Sequence, residues 1–278
     1  MTDDGGRVRR SHRRRHRWSQ IERDLRRQGG TLIAGVDEVG RGSLAGPVVA
    51  CAVIMPPGDR AIGGVDDSKQ LTAAQRVTLS VRIREHALSI GIGAASVREI
   101  DRINIYHATV LAMRRALSRL TLPPDHVLID GKQIRTLPVT HTAVVGGDGR
   151  CFSIACASII AKVTRDRLMQ SLGKRHPGYL WERNAGYGTP AHWSALESQG
   201  SCRHHRHLFI SSRQLTLDFG STAVICEEAA DAMHDDINDH VAADCLPHES
   251  QASQFAIRYS QSEVPSSQLV VPPMPTSA

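Results

Sequence analysis

Asp37 and Glu38 stand side by side at the end of an apolar run, TLIAGVD, over 31–37. A strand turns neighbouring side chains to opposite faces, so one of the two would be driven into the interior unless the strand end opens into a site. Asp130 ends a second apolar run, HVLID, and Asp148 lies in a glycine turn, GGDG. Taken singly, Asp130 could merely turn the chain and Asp148 could cap the helix that follows. Taken together, they are acids at strand ends and in adjoining loops, where α/β folds build their sites. Converging carboxylates repel one another and lose hydration, so they are normally gathered to hold a hard cation. Mg²⁺ takes oxygen ligands and keeps several waters. Two such ions roughly 4 Å apart can clamp the attacking and leaving oxygens of a phosphodiester.

Next to the first acid pair comes Gly40-Arg41-Gly42. Glycines let the backbone come close to a ligand, and Arg41 offers a planar donor fork for phosphate. Lys69, Lys162 and Arg165 are candidate phosphate contacts; the alternative for Lys162 is a solvated helix face with an i,i+4 pair to Asp166. Asp166 is a rival fourth metal ligand, disfavoured by its place in mid-helix. His192 reads as local capping rather than site chemistry. Cys202, His204, His205 and His207 fit no standard zinc spacing.

These residues need elements to hold them. Strands are expected over 31–37, 46–55, 88–96, 126–130 and 139–147, and helices over 18–28, 71–87, 104–120 and 153–173, from apolar period and from Gly/Pro punctuation. The last helix carries a small-residue face of Ala155, Cys156, Ser158 and Ala161 that can press close to a sheet. Strands mixed with helices predict an α/β domain with one central sheet.

Charge divides the chain. It has 278 residues and a net charge of +6. Residues 1–30 carry +6, most of it in RVRRSHRRRHR, and 218–278 carry −9, which leaves +9 on 31–217. The expected organisation is therefore a basic, mostly disordered arm over 1–30, a folded domain over 31–217 and an acidic, largely disordered tail over 218–278. Apolar residues recurring every four positions over 223–246 predict a marginal acidic helix. A basic domain with a basic arm suggests a polyanionic partner such as nucleic acid. No run of eighteen apolar residues occurs, the N-terminus lacks an apolar core for secretion, and the six cysteines show no C-x-x-C pair. A soluble, cytoplasmic protein with reduced thiols and no membrane contact is expected.

The segment AGVDEVGRGSLAGPVVACAVI (34–54) resembles the signature of ribonuclease HII, the prokaryotic type 2 ribonuclease H. Further blocks follow in order: DDSKQLT (66–72), LIDGK (128–132), GGDG with SIACASIIAKVTRDRLM (146–169), HPGYLWERNAGYGT (176–189) and HHRHLF (204–209). The resemblance spans about 31–212. It implies an RNase H-like fold with a mixed five-stranded sheet flanked by helices. It also implies a monomeric endonuclease that uses Mn²⁺ or Mg²⁺ to cut the RNA strand of RNA–DNA hybrids and to cut at ribonucleotides embedded in duplex DNA, leaving 3′-hydroxyl and 5′-phosphate ends. Asp37, Glu38, Asp130 and Asp148 fall on the family's four metal-binding acids. Gly40, Arg41 and Gly42 fall on the loop that reads the ribose 2′-hydroxyl, and Tyr187 on the tyrosine that packs against the neighbouring sugar. Ser43, Ala185 and Leu208 depart from the residues usual at their positions, and none touches the four acids. An RNase H-fold DNA nuclease and a catalytically idle hybrid-binding protein are the competing readings.

Overall fold

The computed structural model describes residues 20–57 and 62–214, with side chains to 211. The expected arm over 1–17, the acidic tail, its marginal helix, Cys226 and Cys245 lie outside the described residues. The elements run α1 (Gln20–Arg27), β1 (Ile33–Val39), β2 (Val48–Ile54), α2 (Ala73–His86), β3 (Ser89–Ala95), α3 (Val97–Ser118), β4 (His126–Asp130), β5 (His141–Val144), α4 (Phe152–Arg175), α5 (Trp181–Asn184), α6 (Pro190–Gln199) and α7 (His207–Gln214).

The five strands form one mixed sheet in the order β3-β2-β1-β4-β5. β1 and β3 flank β2 antiparallel, whereas β4 runs parallel to β1 and to β5. β2 is buried along its whole length, which is why it reads VVACAVI without alternation: helices cover both its faces. On one face α4 and α2 pack Ala155, Ile159, Ile160 and Ile83 against Val49, Cys51, Val53 and Ile92. On the other, α3 sets Ala108, Ala112, Met113 and Ala116 against Ala34, Val36, Ala50 and Ala52. At Gly35 an added Cβ would meet the backbone of Ser153 and Ile154. Only glycine lets the start of α4 come this near the strand that carries Asp37.

Helix starts follow local chemistry. Thr72 and Ser96 each form a reciprocal capping box, with Gln75 and Glu99. The S-x-x-E signal at Ser96 opens α3 seven residues before the stretch predicted from 104. Within α3, Asn104 adopts φ +64°, and its Oδ1 accepts from the amides of Tyr106 and His107. The apolar period from 104 thus marks a second, recapped half of one helix. The fifth strand is shorter than the predicted 139–147: Val145 is exposed, and Gly146 turns the chain at φ +65°.

α1 realises the helix expected over 18–28, with Ile21 and Leu25 packed on Ile33, Val144 and Ile154. Its Glu22 is buried. α4 begins at Cys151 with no side-chain cap, and the Glu22 carboxylate supplies one from far along the chain. It accepts from the Ser153 amide at 2.8 Å and the Ser153 hydroxyl at 2.6 Å. Cys51, Cys151, Cys156 and Cys202 form no disulfide among the described residues. No helix among those residues is long and apolar enough to cross a membrane.

Candidate active site

β1 and β4 are parallel neighbours with Val36 opposite Ile129, so their next residues, Asp37 and Asp130, emerge at the same sheet edge. β4 pairs in turn with β5, Asp130 opposite Val144. The chain then turns through Gly146–Gly149, where Asp148 sits. This turn is fastened to the strand by the Gly147 amide, which donates to Asp130 Oδ1 at 2.6 Å. Asp37 faces the α4 layer and is bonded to Ser158, whose hydroxyl lies 2.9 Å from that of Ser68. Glu38 points to the opposite face, and its Oε1 accepts from Arg41 at 3.2 Å.

The electrostatics show that the acids share one field. Burial, then the charges of Glu38 and Asp130, push the Asp37 carboxyl well above its ordinary range. Burial raises Glu38, with Arg41 opposing and Asp130 adding to the rise. Burial also raises Asp148, with Lys69 opposing and Asp130 again adding. Three acids held high by desolvation and mutual repulsion form a donor set short of positive charge, and hard all-oxygen ligands of this kind suit a divalent cation. Among the described residues no three acidic, histidine or cysteine side chains already stand at ligand spacing. Asp148 instead meets Lys69, Nζ to Oδ2 3.3 Å. The four acids come to one edge, and the last of them is held by a lysine.

The other predicted contacts divide. Arg41 and Gly42 are exposed beside the acids, whereas Gly40, at φ +88°, lies buried against the Arg165 guanidinium. Lys69 projects into solvent. Lys162 bonds Asp166 at 2.7 Å, the i,i+4 pair anticipated for it, which also occupies Asp166. Tyr187 keeps its ring partly exposed, over Lys162 and Arg165 at 5.8 and 5.6 Å. Arg165 is the correction. It is 0% exposed, and its guanidinium donates to Pro47, Ser43, Ala45 and Ala185. No atom of it is open to a phosphate; the residue is spent on three backbone carbonyls and the Ser43 hydroxyl beneath the glycine loop.

Three residues outside the expected set support this site. Arg206, inside the HHRHLF block, is also 0% exposed and holds the glycine loop from below. His192 and His205 hold the Tyr187 segment. His192 Nδ1 lies 2.9 Å from the Tyr187 carbonyl, an acceptor only, so Nδ1 carries the proton. Its Nε2 then accepts from Trp181 Nε1 and from His205 Nε2, each at 3.1 Å. His205 Nδ1 in turn accepts from the Cys202 amide at 3.0 Å. Both rings are neutral in this pattern, in keeping with burial, which lowers His192 and takes His205 down to about 3. His192, His205 and Cys202 thus form one hydrogen-bond chain, to which the side chains of His204 and the exposed His207 do not belong.

The family model described as Ribonuclease HII matches residues 34–212. Ribonuclease HII of Granulibacter bethesdensis is 55% identical over 195 residues, covering 69% of this chain and 89% of its own length. That of Thermosynechococcus vestitus is 56% identical over 186 residues, covering 66% and 86%. The fold is similar to the crystal structure of ribonuclease H2 from Pyrococcus horikoshii, with a TM-score of 0.56, 25% identity, and coverage of 66% of this chain and 96% of that one. It also resembles Bst-RNase HIII in complex with Mn²⁺, with a TM-score of 0.54, 20% identity, and coverage of 68% and 71%, a likeness of fold alone. With the five-stranded mixed sheet, the gathered acids and this degree of identity, the chain belongs to the ribonuclease HII family.

Proposed function

We propose that this ribonuclease H cuts the RNA strand of RNA–DNA hybrids and cuts at ribonucleotides embedded in duplex DNA, leaving 3′-hydroxyl and 5′-phosphate ends. Asp37, Glu38, Asp130 and Asp148 hold the divalent cofactor, Mn²⁺ or Mg²⁺. Bound there, such a cation supplies Lewis acidity and an activated water for phosphodiester hydrolysis. The residues of the chain do the rest. Asp130 braces the turn that carries Asp148, Ser158 orients Asp37, and Arg41 holds Glu38 at the rim. The amides of the Gly40–Gly42 loop reach the 2′-hydroxyl, the atom that separates RNA from DNA. Tyr187 offers a ring face to the adjoining sugar, and the exposed Lys69, with Lys162 near that ring, meets the backbone phosphates.

The observation that carries the reading is the juxtaposition of four acids with an exposed glycine loop at one sheet edge. The test is a duplex containing one ribonucleotide, incubated with Mg²⁺ or Mn²⁺. Wild type should cut it beside the ribonucleotide and leave the all-DNA duplex whole. Asp130→Asn, which removes one acid and keeps its shape, should slow cleavage by roughly a thousandfold. Cleavage of all-DNA duplex at a similar rate would replace this reading with a DNA nuclease. Tight hybrid binding without any cleavage would make the protein a binding module.

A further inference from the structure

Two arginines lie wholly inside the protein directly beneath the Gly40–Gly42 loop. Arg206 donates from Nη2 to the Gly40 carbonyl at 2.6 Å, from Nη1 to the Arg41 carbonyl at 2.8 Å, and from Nε and Nη2 to the Gly46 carbonyl at 2.9 and 2.7 Å. Arg165 donates to the carbonyls of Pro47, Ala45 and Ala185 and to the Ser43 hydroxyl, at 2.9–3.1 Å. Both are 0% exposed, and neither forms an ion pair with a carboxylate among the described residues. Burying a guanidinium without a counter-charge is costly, and apolar side chains often serve packing better. Such a pair therefore calls for a reason beyond packing.

The carbonyls supply that reason. In a trans peptide the C=O of one residue and the N–H of the next point in opposite directions. With the Gly40 and Arg41 carbonyls drawn inward onto Arg206, the amides of Arg41 and Gly42 must point outward. Both residues are exposed, and neither amide meets an acceptor among the described residues. The planar fork of arginine suits this task, since it satisfies several carbonyls at fixed angles where an ammonium cannot. Gly40 completes the arrangement: at φ +88° with no Cβ, it lets the loop lie flat on Arg165. Two positive charges, which feel Asp101 and Asp166 but form no direct ion pair with either, also sit behind the outward amides.

We propose that Arg206, supported by Arg165, is a positioning residue for substrate selection: by holding the Gly40 and Arg41 carbonyls inward it aims the Arg41 and Gly42 amides at the ribose 2′-hydroxyl. This rests on the reading of the loop given above. The test is binding by the full chain carrying Asp130→Asn, in which cutting is slow enough for binding to be read, to a duplex with one ribonucleotide and to the same duplex in all-DNA form. Arg206→Lys, added to it, keeps the charge and loses the fork. The preference for the ribonucleotide duplex should fall by about tenfold, the worth of one well-placed hydrogen bond, with affinity for all-DNA duplex changed far less. Equal losses on both duplexes, or an unchanged preference, would overturn the proposal. A parent that shows no preference at all would instead overturn the loop reading, and the proposal with it. A second measurement needs no change at Arg206: in ¹⁵N-labelled Asp130→Asn protein, the Arg41 and Gly42 amide resonances should respond to the ribonucleotide duplex and differ from their positions with all-DNA duplex. Identical shifts with the two would reject the aim assigned to these amides.

Discussion

Lys69 reaches Asp148 across 3.3 Å while its own side chain is 81% exposed. The neighbouring carboxylate raises the lysine pKa, so the ammonium remains charged and competes with a divalent ion for the same oxygen. An exposed pair of this kind is worth about 0.2–1 kcal/mol. Lys69→Met should therefore tighten binding of Mn²⁺ alone by up to about fivefold, read by calorimetry. The same change should lower the slope of log affinity against log salt for hybrid by about one, as expected when one phosphate contact is lost. His204 gives a second prediction at this scale. Burial, then the charge of His176, takes it down to about 4, against about 6.5 in the unfolded chain. Between those values the unfolded chain binds the proton and the fold does not, so stability falls as pH drops through that window. His204→Phe keeps a ring there and removes this contribution. Its denaturation midpoint should change less between pH 7 and pH 5 than that of wild type.

Elements translate these residues into geometry, and α4 is the clearest case. Its N-terminus lies against β1 at Gly35, adjoins the Asp148 turn and takes its cap from Glu22 on α1. Glu22→Ala would strip the acceptor from the Ser153 amide and hydroxyl, both buried. The cost should be about 1–3 kcal/mol, seen as a lower melting temperature, and it should be partly restored by Glu22→Gln, which retains an acceptor oxygen. Much of this level was legible in the sequence. The apolar runs put Asp130 at the end of β4 and Asp37 near the end of β1, which runs on to Val39, and the small face of α4 foretold its closeness to the sheet. What escaped were contacts between distant segments. Glu22 reads as one more charge in an arginine-rich stretch, since nothing local says that α4 lacks its own cap. Arg165 reads as a phosphate contact and Arg206 as one base within the HHRHLF block, because sequence pattern cannot show a guanidinium turned inward toward carbonyls supplied by a loop more than a hundred residues away. The front half of α3 was signalled by its capping box, but the apolar period pointed to the half after Asn104.

The whole molecule is organised by charge as much as by fold. Residues 31–217 carry +9, residues 1–30 add +6 and residues 218–278 carry −9. Backbone phosphates are neutralised additively and release counterions, so each basic residue that engages the duplex steepens the salt dependence. Residues 1–17 hold seven arginines and two acids and lie outside the match to the family, which begins at residue 34. Removing them should weaken hybrid binding at low salt and flatten the slope of log affinity against log salt, with the largest effect near 50 mM. Turnover at saturating substrate should stay the same, because the four acids and the glycine loop all lie beyond the deletion. Removing 218–278 should act in the opposite sense: an acidic segment on the same chain competes with phosphate for the basic surface, so its loss should raise affinity and steepen the slope. Anisotropy titrations of the two truncations against salt, with the full chain alongside, separate the contributions. Parallel lines for all three proteins would place the whole electrostatic footprint on the residues the two truncations share and leave both flanking segments without a part in binding.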